Sequence, residues 1–182
     1  MKAVLMAIHR KWCEKIFRGE KIVEVRKIAP KLETPFKVYV YESLGKKFSC
    51  SRCEGCPIRF PLGCNEGAGA VVGEFVCDRV DDYTYDYCDG VDIDDDSLLE
   101  TCLEWGEINI YANGKKLHGL HITAPKRYDK PKALSEFRKP DEPFHTVEIN
   151  EKGNVVFCDG YIDGEPITRP PQSFCYVEEI EE

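Results

Sequence analysis

Apolar residues near the start of the chain recur with helical and with extended periods, and this pattern predicts the first two elements. Residues 3–8 are almost continuously apolar, as in a short buried strand. In residues 10–18 the apolar side chains form one stripe at helical spacing, with charged side chains on the other faces. The stripe consists of Trp12, Cys13, Ile16 and Phe17. Gly19 follows, and glycine commonly ends a helix.

Three further segments have the pattern of strands. Residues 22–27 alternate with a period of two, so that one face is apolar and the other is largely charged. The two faces are Val23 with Val25, and Ile22 with Glu24 and Arg26. Residues 37–43 have a similar strand pattern, whereas residues 70–76 are apolar on both faces apart from Glu74. A strand of the latter kind is typical of the middle of a closed or nearly closed sheet.

The second half of the chain predicts one more helix and several strands. The helix covers residues 95–105, with an apolar stripe of Leu98, Leu99, Cys102 and Leu103. Three aspartates (94–96) stand at its start, where the helix dipole favours negative charge; a metal or acid site is the alternative. Strands are predicted at 116–123 and 173–179, and a hairpin at 148–157 with Asn150 and Gly153 in its turn. Five to six strands with two main helices give an α+β fold.

Length, composition and charge narrow the class of protein. A chain of 182 residues suits one domain around one core, so we predict a single domain over residues 1–182. No apolar run approaches the roughly 20 residues of a membrane-spanning helix, and the apolar start is too short for a signal peptide. These features predict a cytoplasmic protein with no membrane partner. The formal net charge of −8 argues against indiscriminate nucleic-acid binding.

The charge is unevenly distributed along the chain. Residues 1–47 contain 12 Lys and Arg against 5 Asp and Glu, whereas residues 48–112 contain 3 against 15. A basic face next to an acidic face could accept a polyanion in one place and repel it elsewhere. Charge runs of this kind also occur as ordinary solvated surface.

Four of the ten cysteines lie close together in a segment rich in glycine and cysteine. They are Cys50, Cys53, Cys56 and Cys64, with the spacing C-x2-C-x2-C-x7-C. Four thiolates can enclose a tetrahedral zinc ion, and such a filled site would be structural. An Fe–S cluster, disulfides and free thiols are the alternatives. The other cysteines are predicted to lie in the core: Cys13, Cys77, Cys88, Cys102, Cys158 and Cys175.

Several segments in a fixed order resemble the ASCH family, a branch of the PUA-like fold. They are KWCEKIFRGEKIVEVRK, VYVYES, VVGEFVCD, SLLETCL, LHIT, YDKPKALSEFRKP and RPPQSFCYVEE. The resemblance implies a small PUA-like β-barrel, here with a cysteine-rich insertion at about 45–67, and a cleft suited to RNA or a nucleotide-like small molecule. The group that it resembles most includes small bacterial and phage proteins.

The resemblance also implies a site at Lys21, Glu24 and Arg26. Some ASCH proteins are amidohydrolases on acylated cytidine nucleosides, and others have been proposed as ribonucleases. The amidohydrolases use a lysine, a threonine three residues later and a distant glutamate. Lys21 matches that lysine, but Glu24 stands at the threonine position.

The residues themselves suggest roles at such a site. The planar donors of Arg26 suit a phosphate or a base edge. A lysine beside Arg26 is expected to have a lowered pKa, which would let Lys21 act as a base. Glu24 is either its acid/base partner or half of a surface ion pair with Arg26. Glu74 is predicted to be buried, as an acid/base group in the cleft or as a structural anchor.

Further polar residues are candidates for ligand binding. Tyr41 and Ser43 share a strand face and could line the same cleft, or pack against the insertion. His121 lies on a strand, where a lone histidine is commonly structural. Gln172 and Ser173 belong to a rigid, proline-containing loop before the last strand, and such loops often hold functional groups.

Three functions remain open on the sequence. The first is a module that binds RNA or a nucleotide through phosphate and base-edge contacts. The second is a hydrolase on modified nucleosides or RNA, with Lys21 as base and Glu24 or Glu74 as its partner. The third is an adaptor for protein interactions in a phage or mobile element. The sequence does not predict an oligomeric state.

Overall fold

The computed structural model describes residues 1–43, 67–149 and 155–180. Its elements are β1 (Lys2–His9), α1 (Arg10–Phe17), β2 (Val23–Arg26), β3 (Phe36–Ser43), β4 (Ala70–Tyr83), β5 (Tyr85–Asp86), β6 (Gly90–Val91), α2 (Asp95–Thr101), α3 (Trp105–Ala112), β7 (Leu117–Lys132), a 3-10 turn (Leu134–Glu136), β8 (Glu142–Ile149), β9 (Val155–Ile162) and β10 (Phe174–Glu178). The insertion predicted at about 45–67 lies almost entirely outside the described residues, and all four of its clustered cysteines do.

Six strands form one mixed sheet in the order β10-β1-β3-β4-β7-β2. β1 and β3 are parallel, and the other neighbours are antiparallel. Within the described part of the chain, no strand pairing joins the two edges, β10 and β2, so the predicted closed barrel is not found there. A side chain spans part of the gap between β2 and β1, because an Arg26 guanidinium nitrogen donates to the carbonyl oxygen of Ala7 at 2.7 Å.

The main hydrophobic core lies between α1 and the sheet. Cys13 and Ile16 of α1 are fully buried against apolar side chains of β1, β3 and β4. The helix ends where predicted, with Gly19 at a φ of 73°, a conformation that costs glycine little. A separate cluster packs β2, α3 and the start of β7 together around Val23, Val25 and Ile108. The first cluster holds α1 against the sheet, and the second holds α3 against β2.

The prediction of two main helices was wrong, because the segment predicted as one helix (95–105) is two. Cys102 adopts a left-handed conformation (φ 56°), which ends α2 and starts the turn into α3. At the start of α2 the prediction of helix-stabilising aspartates is confirmed, since Asp94 accepts a hydrogen bond from the Ser97 backbone at 2.9 Å. The strands β4 and β7 extend well beyond their predicted ends, and both contain register shifts.

The cysteines predicted to be core residues do not share one environment. Cys13 and Cys77 are buried, Cys88 is exposed, and Cys102 and Cys175 are partly exposed. The prediction was wrong for Cys88, which lies in the turn between β5 and β6, and only partly right for Cys102 and Cys175. The side chain of Cys158 lies outside the described part of the structure. No helix within the described ranges is long and apolar enough to cross a membrane.

The buried thiols should make the fold sensitive to alkali. Burial raises the pKa of Cys77 from 9.0 to about 12, and raises that of Cys13 as well. Above pH 9.0 the Cys77 thiol ionises in the unfolded chain but stays protonated in the folded protein, so the free energy of unfolding falls as pH rises toward about 12. At a pH one unit above the ordinary pKa, such a thiol lowers the free energy of unfolding by about 1.4 kcal/mol.

Urea unfolding at neutral pH and at about pH 10 measures this loss. The Cys77→Ala variant lacks the thiol, so its stability should fall less over the same interval. An equal fall in the variant and the natural protein would show that Cys77 is not responsible.

Candidate functional site

A cavity of about 470 Å³ opens beside β2, between α1, α3 and the loop that precedes β10. It is lined by Ala7, His9, Trp12, Lys21, Glu24, Val25, Arg26, Tyr41, Ser43, Leu103, Tyr111, Pro170, Pro171 and Gln172. Six of these are residues predicted from the sequence to bind a ligand: Lys21, Glu24, Arg26, Tyr41, Ser43 and Gln172. The fold therefore brings most of the predicted set to one concave surface.

Lys21 is buried at the base of this cavity, with an exposed fraction of 2%. Its ammonium donates to the carbonyl oxygens of Val23 at 2.8 Å and Thr101 at 2.6 Å. The Glu24 carboxylate lies 3.4 Å away and is the third acceptor around the three-donor ammonium. Residue 21 reaches these partners because the chain turns after α1, so that the backbone of Ile22 bonds to Glu100 in α2.

Burial lowers the pKa of the Lys21 ammonium, and the Glu24 carboxylate opposes that shift. The predicted lowering of the Lys21 pKa is correct in direction, but burial rather than the neighbouring Arg26 is its main cause. Arg26 also lowers the pKa, yet desolvation is the larger effect. The arrangement keeps a cation and a carboxylate together where water is largely excluded.

Glu24 joins the two cations of the site. One of its carboxylate oxygens contacts Lys21, and the other lies 3.0 Å from the Arg26 guanidinium. The Arg26 side chain is 13% exposed, and it also donates to Ala7 of β1. The alternation of β2 accounts for this pair, since residues 24 and 26 point to the same side. The Glu24–Arg26 pair is largely buried, unlike the exposed surface ion pair that the sequence left as the alternative.

Aromatic rings form the walls of the cavity. Trp12 comes from α1, Tyr41 from β3 and Tyr111 from α3. Two lysines flank these rings at the rim. The Lys11 ammonium lies 4.3 Å from the centroid of the Trp12 ring, and the Lys27 ammonium lies 5.2 Å from that of Tyr111. The site thus combines flat apolar surfaces with positive charge at its edge.

Three predicted site residues lie elsewhere. Glu74 does not line this cavity; it accepts a hydrogen bond from Tyr128, and the Lys37 ammonium lies 3.9 Å from it. His121 of β7 contacts Asp81 and Arg79 of β4 and does not line the cavity. Ser173 lines a neighbouring cavity rather than this one. Glu74 is partly buried rather than fully buried, since 14% of its side chain is exposed.

Sequence reasoning missed several residues of the site. Trp12 was assigned to the apolar stripe of α1, but it lies at the edge of that stripe and lines the cavity. Leu103 and Tyr111 enter from the α2–α3 segment, and His9 enters from the end of β1. No local pattern marks these residues, because their proximity to Lys21 depends on how α3 packs against β2.

Among the described residues, no group of three or more His, Cys, Asp or Glu side chains could hold a metal ion. The predicted zinc ligands Cys50, Cys53, Cys56 and Cys64 lie outside the described ranges. At the start of α2, Asp94 caps the helix and Asp95 and Asp96 lie in its first turn, in agreement with the dipole interpretation.

The described fold is similar to that of solved ASCH structures. The solved structure of ASCH from Zymomonas mobilis aligns with a TM-score of 0.55 at 13% identity, over 97% of this chain and 88% of the other. A tyrosine-to-phenylalanine variant of that protein aligns at 14% identity over 98% and 92%, again with a TM-score of 0.55. A serine-to-alanine variant aligns at 13% identity over 97% of this chain and 89% of the other, with a TM-score of 0.55. No protein-family model and no curated protein matches the chain.

Proposed function

We propose that this ASCH-type chain binds a nucleotide in the cavity beside β2, either as part of an RNA strand or as a nucleotide-like small molecule. The observation that carries the proposal is the convergence of a buried Lys21–Glu24–Arg26 cluster with three aromatic rings in one cavity. Its volume of about 470 Å³ falls within the usual range for small-molecule sites. The cavity is therefore of the right size for one nucleoside unit.

The chemistry of the walls suits a base and its phosphate. A base presents flat faces that stack on aromatic side chains, and Trp12 and Tyr111 offer such surfaces. The Glu24 carboxylate accepts hydrogen bonds, and the Gln172 amide both donates and accepts, so these groups can read a base edge. Lys11 and Lys27 at the rim supply positive charge near a phosphate.

The contacts of Lys21 favour binding over hydrolysis. All three donors of its ammonium have acceptors within the protein, namely two backbone carbonyls and Glu24. A neutral Lys21 would keep its lone pair among these same acceptors, and a base must direct that lone pair at the substrate. The lysine therefore serves mainly to fix the carboxylate that faces the ligand.

A hydrolase is the second candidate, and the lowered pKa of Lys21 is the observation that favours it. Glu24 would be the acid/base partner, since it is the carboxylate beside Lys21, whereas Glu74 is held by Tyr128 and Lys37. Incubation with acylated cytidine nucleosides and with short RNA, followed by chromatography, detects such activity. Cleavage that is lost in Lys21→Met would replace the binding assignment with the enzymatic one.

Isothermal titration with the four ribonucleoside monophosphates tests the main proposal. We expect saturable binding to at least one of them, with heat that disappears when Glu24 and Lys21 are replaced together. If neither the four monophosphates nor a short RNA binds, and neither substrate is cleaved, the nucleotide proposal fails, and the protein-interaction adaptor becomes the better account.

We further propose that Cys50, Cys53, Cys56 and Cys64 hold one structural zinc ion. The support is their spacing, since four nearby thiolates suit closed tetrahedral coordination. Native mass spectrometry of protein purified without added metal should show one zinc ion that chelation removes. A mass free of metal, or the visible absorption of an Fe–S cluster, would contradict this proposal.

A further inference from the structure

The helix α3 carries apolar or small residues on its outer side as well as on its inner side. Ile108 and Ala112 are buried in the core, whereas Ile110 points away from them and is 82% exposed. Gly106 lies one turn before Ile110, and a Cβ atom added to it would meet no other group within 4 Å. Glu107 is the single charged residue of the helix. A surface helix usually has a polar outer side, and a helix that is apolar all round is usually covered.

A second exposed apolar side chain, Tyr87, lies near the end of α3. Gly114 follows the helix, four residues after Ile110, and the Tyr87 ring lies 3.9 Å from the position that a Cβ atom on Gly114 would occupy. Tyr87 belongs to the turn between β5 and β6 and is almost fully exposed. We call Gly106, Ile110, Gly114 and Tyr87 the α3 outer face. Its glycines let another backbone approach closely, and its two large side chains supply apolar surface.

The part of the chain that carries the α3 outer face is strongly acidic. Residues 80–114 contain 11 Asp and Glu and no Lys, Arg or His. Asp86 and Asp89 lie in the same turn as Tyr87 and are exposed, and no ion pair is found for either among the described residues. Glu107 pairs with Lys11 at 4.0 Å, but both side chains are about half exposed. A ligand of this surface is therefore expected to carry positive charge.

This charge decides between the possible occupants of the α3 outer face. Nucleic acid and an anionic membrane surface would both be repelled. Two copies of the chain related by a two-fold axis would bring the same acidic surface together, which disfavours a dimer through this face. Apolar groups among carboxylates are complementary to an amphipathic helix whose apolar stripe is flanked by Lys and Arg.

We propose that the α3 outer face binds a cationic amphipathic helix of another protein. The apolar stripe of that helix packs on Ile110 and Tyr87, and its backbone comes close to Gly106 and Gly114. Its Lys and Arg side chains pair with nearby carboxylates such as that of Asp86. None of these residues lines the nucleotide cavity, so this interaction is separate from the proposed function.

Fluorescence anisotropy with a labelled synthetic helix tests this proposal on the full chain. The probe is a peptide of about 18 residues, or five helical turns, with Leu at helical spacing and Lys on its other faces. One control peptide has the same composition in scrambled order, and another has Glu in place of Lys. We expect saturable binding of the probe that weakens as salt is added, and much weaker binding of both control peptides.

Variants of the α3 outer face show whether the probe binds there. Tyr87→Ala/Ile110→Ala should weaken binding roughly tenfold or more, as truncation of central interface residues commonly does. The matched control Ile28→Ala/Tyr161→Ala removes the same two side-chain types from exposed positions outside the acidic segment, and it should leave the affinity unchanged. Gly106→Gln should also weaken binding, because it places a side chain where the partner approaches. Glutamine favours a helix more than glycine does, so α3 should stay folded in this variant.

Several results would overturn the proposal. They are a lack of saturable binding by the probe, equal binding of the scrambled peptide, and an equal loss of affinity in the two double variants. Light scattering that shows a dimer, dissociated by Tyr87→Ala/Ile110→Ala, would replace the partner helix with a second copy of the chain. A failure of nucleoside monophosphates to bind would contradict the proposed function and leave this proposal standing.

Discussion

Replacing Glu24 with leucine should destabilise the protein by about 3–5 kcal/mol, because removing one partner leaves a buried charge without compensation. Lys21 is almost completely buried, and Glu24 is the one carboxylate in direct contact with its ammonium in the described structure. Arg26 loses the same partner but retains its bond to Ala7. Urea unfolding of the variant and the natural protein measures the change in the free energy of unfolding.

The double variant Lys21→Met/Glu24→Leu distinguishes two causes of the lost stability, an uncompensated buried charge and altered packing. Both charges are then absent, so most of the stability lost in Glu24→Leu should return. Nucleotide binding should not return with it, since the carboxylate that reads the base edge is still missing. If the double variant is as unstable as Glu24→Leu, packing rather than charge accounts for the loss. If it binds nucleotide as tightly as the natural protein, Glu24 does not contact the ligand.

Replacing Trp12 with alanine should weaken nucleotide binding by roughly 5- to 150-fold, since stacking of one base on an aromatic ring is worth about 1–3 kcal/mol. Trp12 lines the cavity, and the centroid of its ring lies 5.1 Å from the Lys21 ammonium. Titration calorimetry with the monophosphate that binds best gives the change directly. Because Trp12 also packs against the main core, circular dichroism should first verify that the variant is folded.

Two further variants make the Trp12 result specific. Trp105→Ala removes the other tryptophan, which is 47% exposed at the start of α3 and does not line the cavity, so affinity should not change. Trp12→Phe keeps an aromatic face and should retain part of the affinity. A similar loss in Trp105→Ala and Trp12→Ala, or no loss in Trp12→Ala, would remove stacking from the account of the site.

Residues 22–26 show how far local patterning reaches. The period of two in this segment correctly predicts a strand with Glu24 and Arg26 on one side. It does not predict the burial of the charged face, which arises because Arg26 contacts β1 and Glu24 contacts the buried Lys21, while α2 and α3 cover the valine face. Alternating apolar and charged residues are typical of a strand with one exposed face. The pattern alone therefore underestimates how strongly the charges of Glu24 and Arg26 interact once they are buried.

Glu74 and Trp12 show errors in opposite directions. Glu74 interrupts an apolar strand, and an isolated carboxylate of this kind is a reasonable candidate for a site. The register of β4 places it near Lys37 and Tyr128 instead of Lys21. Trp12 belongs to an apolar stripe, which is the pattern of an ordinary core residue, but it lines the cavity.

The sequence by itself determined the α+β class, the positions of α1 and of the main strands, and the acidic start of α2, since these properties depend on periodicity and on residues close together in the chain. The resemblance to the ASCH family implied the site at Lys21, Glu24 and Arg26, and the positions of Tyr41, Ser43 and Gln172 on a strand and a loop made them candidates. The tertiary structure decided that the described sheet remains open, that α2 and α3 are separate, and that Leu103, Tyr111 and Pro171 reach the site. It also gave Lys21 its partners, because the Thr101 carbonyl is distant in sequence and meets the ammonium only when α2 packs against β2. Such contacts depend on the packing of whole elements, and no local pattern encodes that packing.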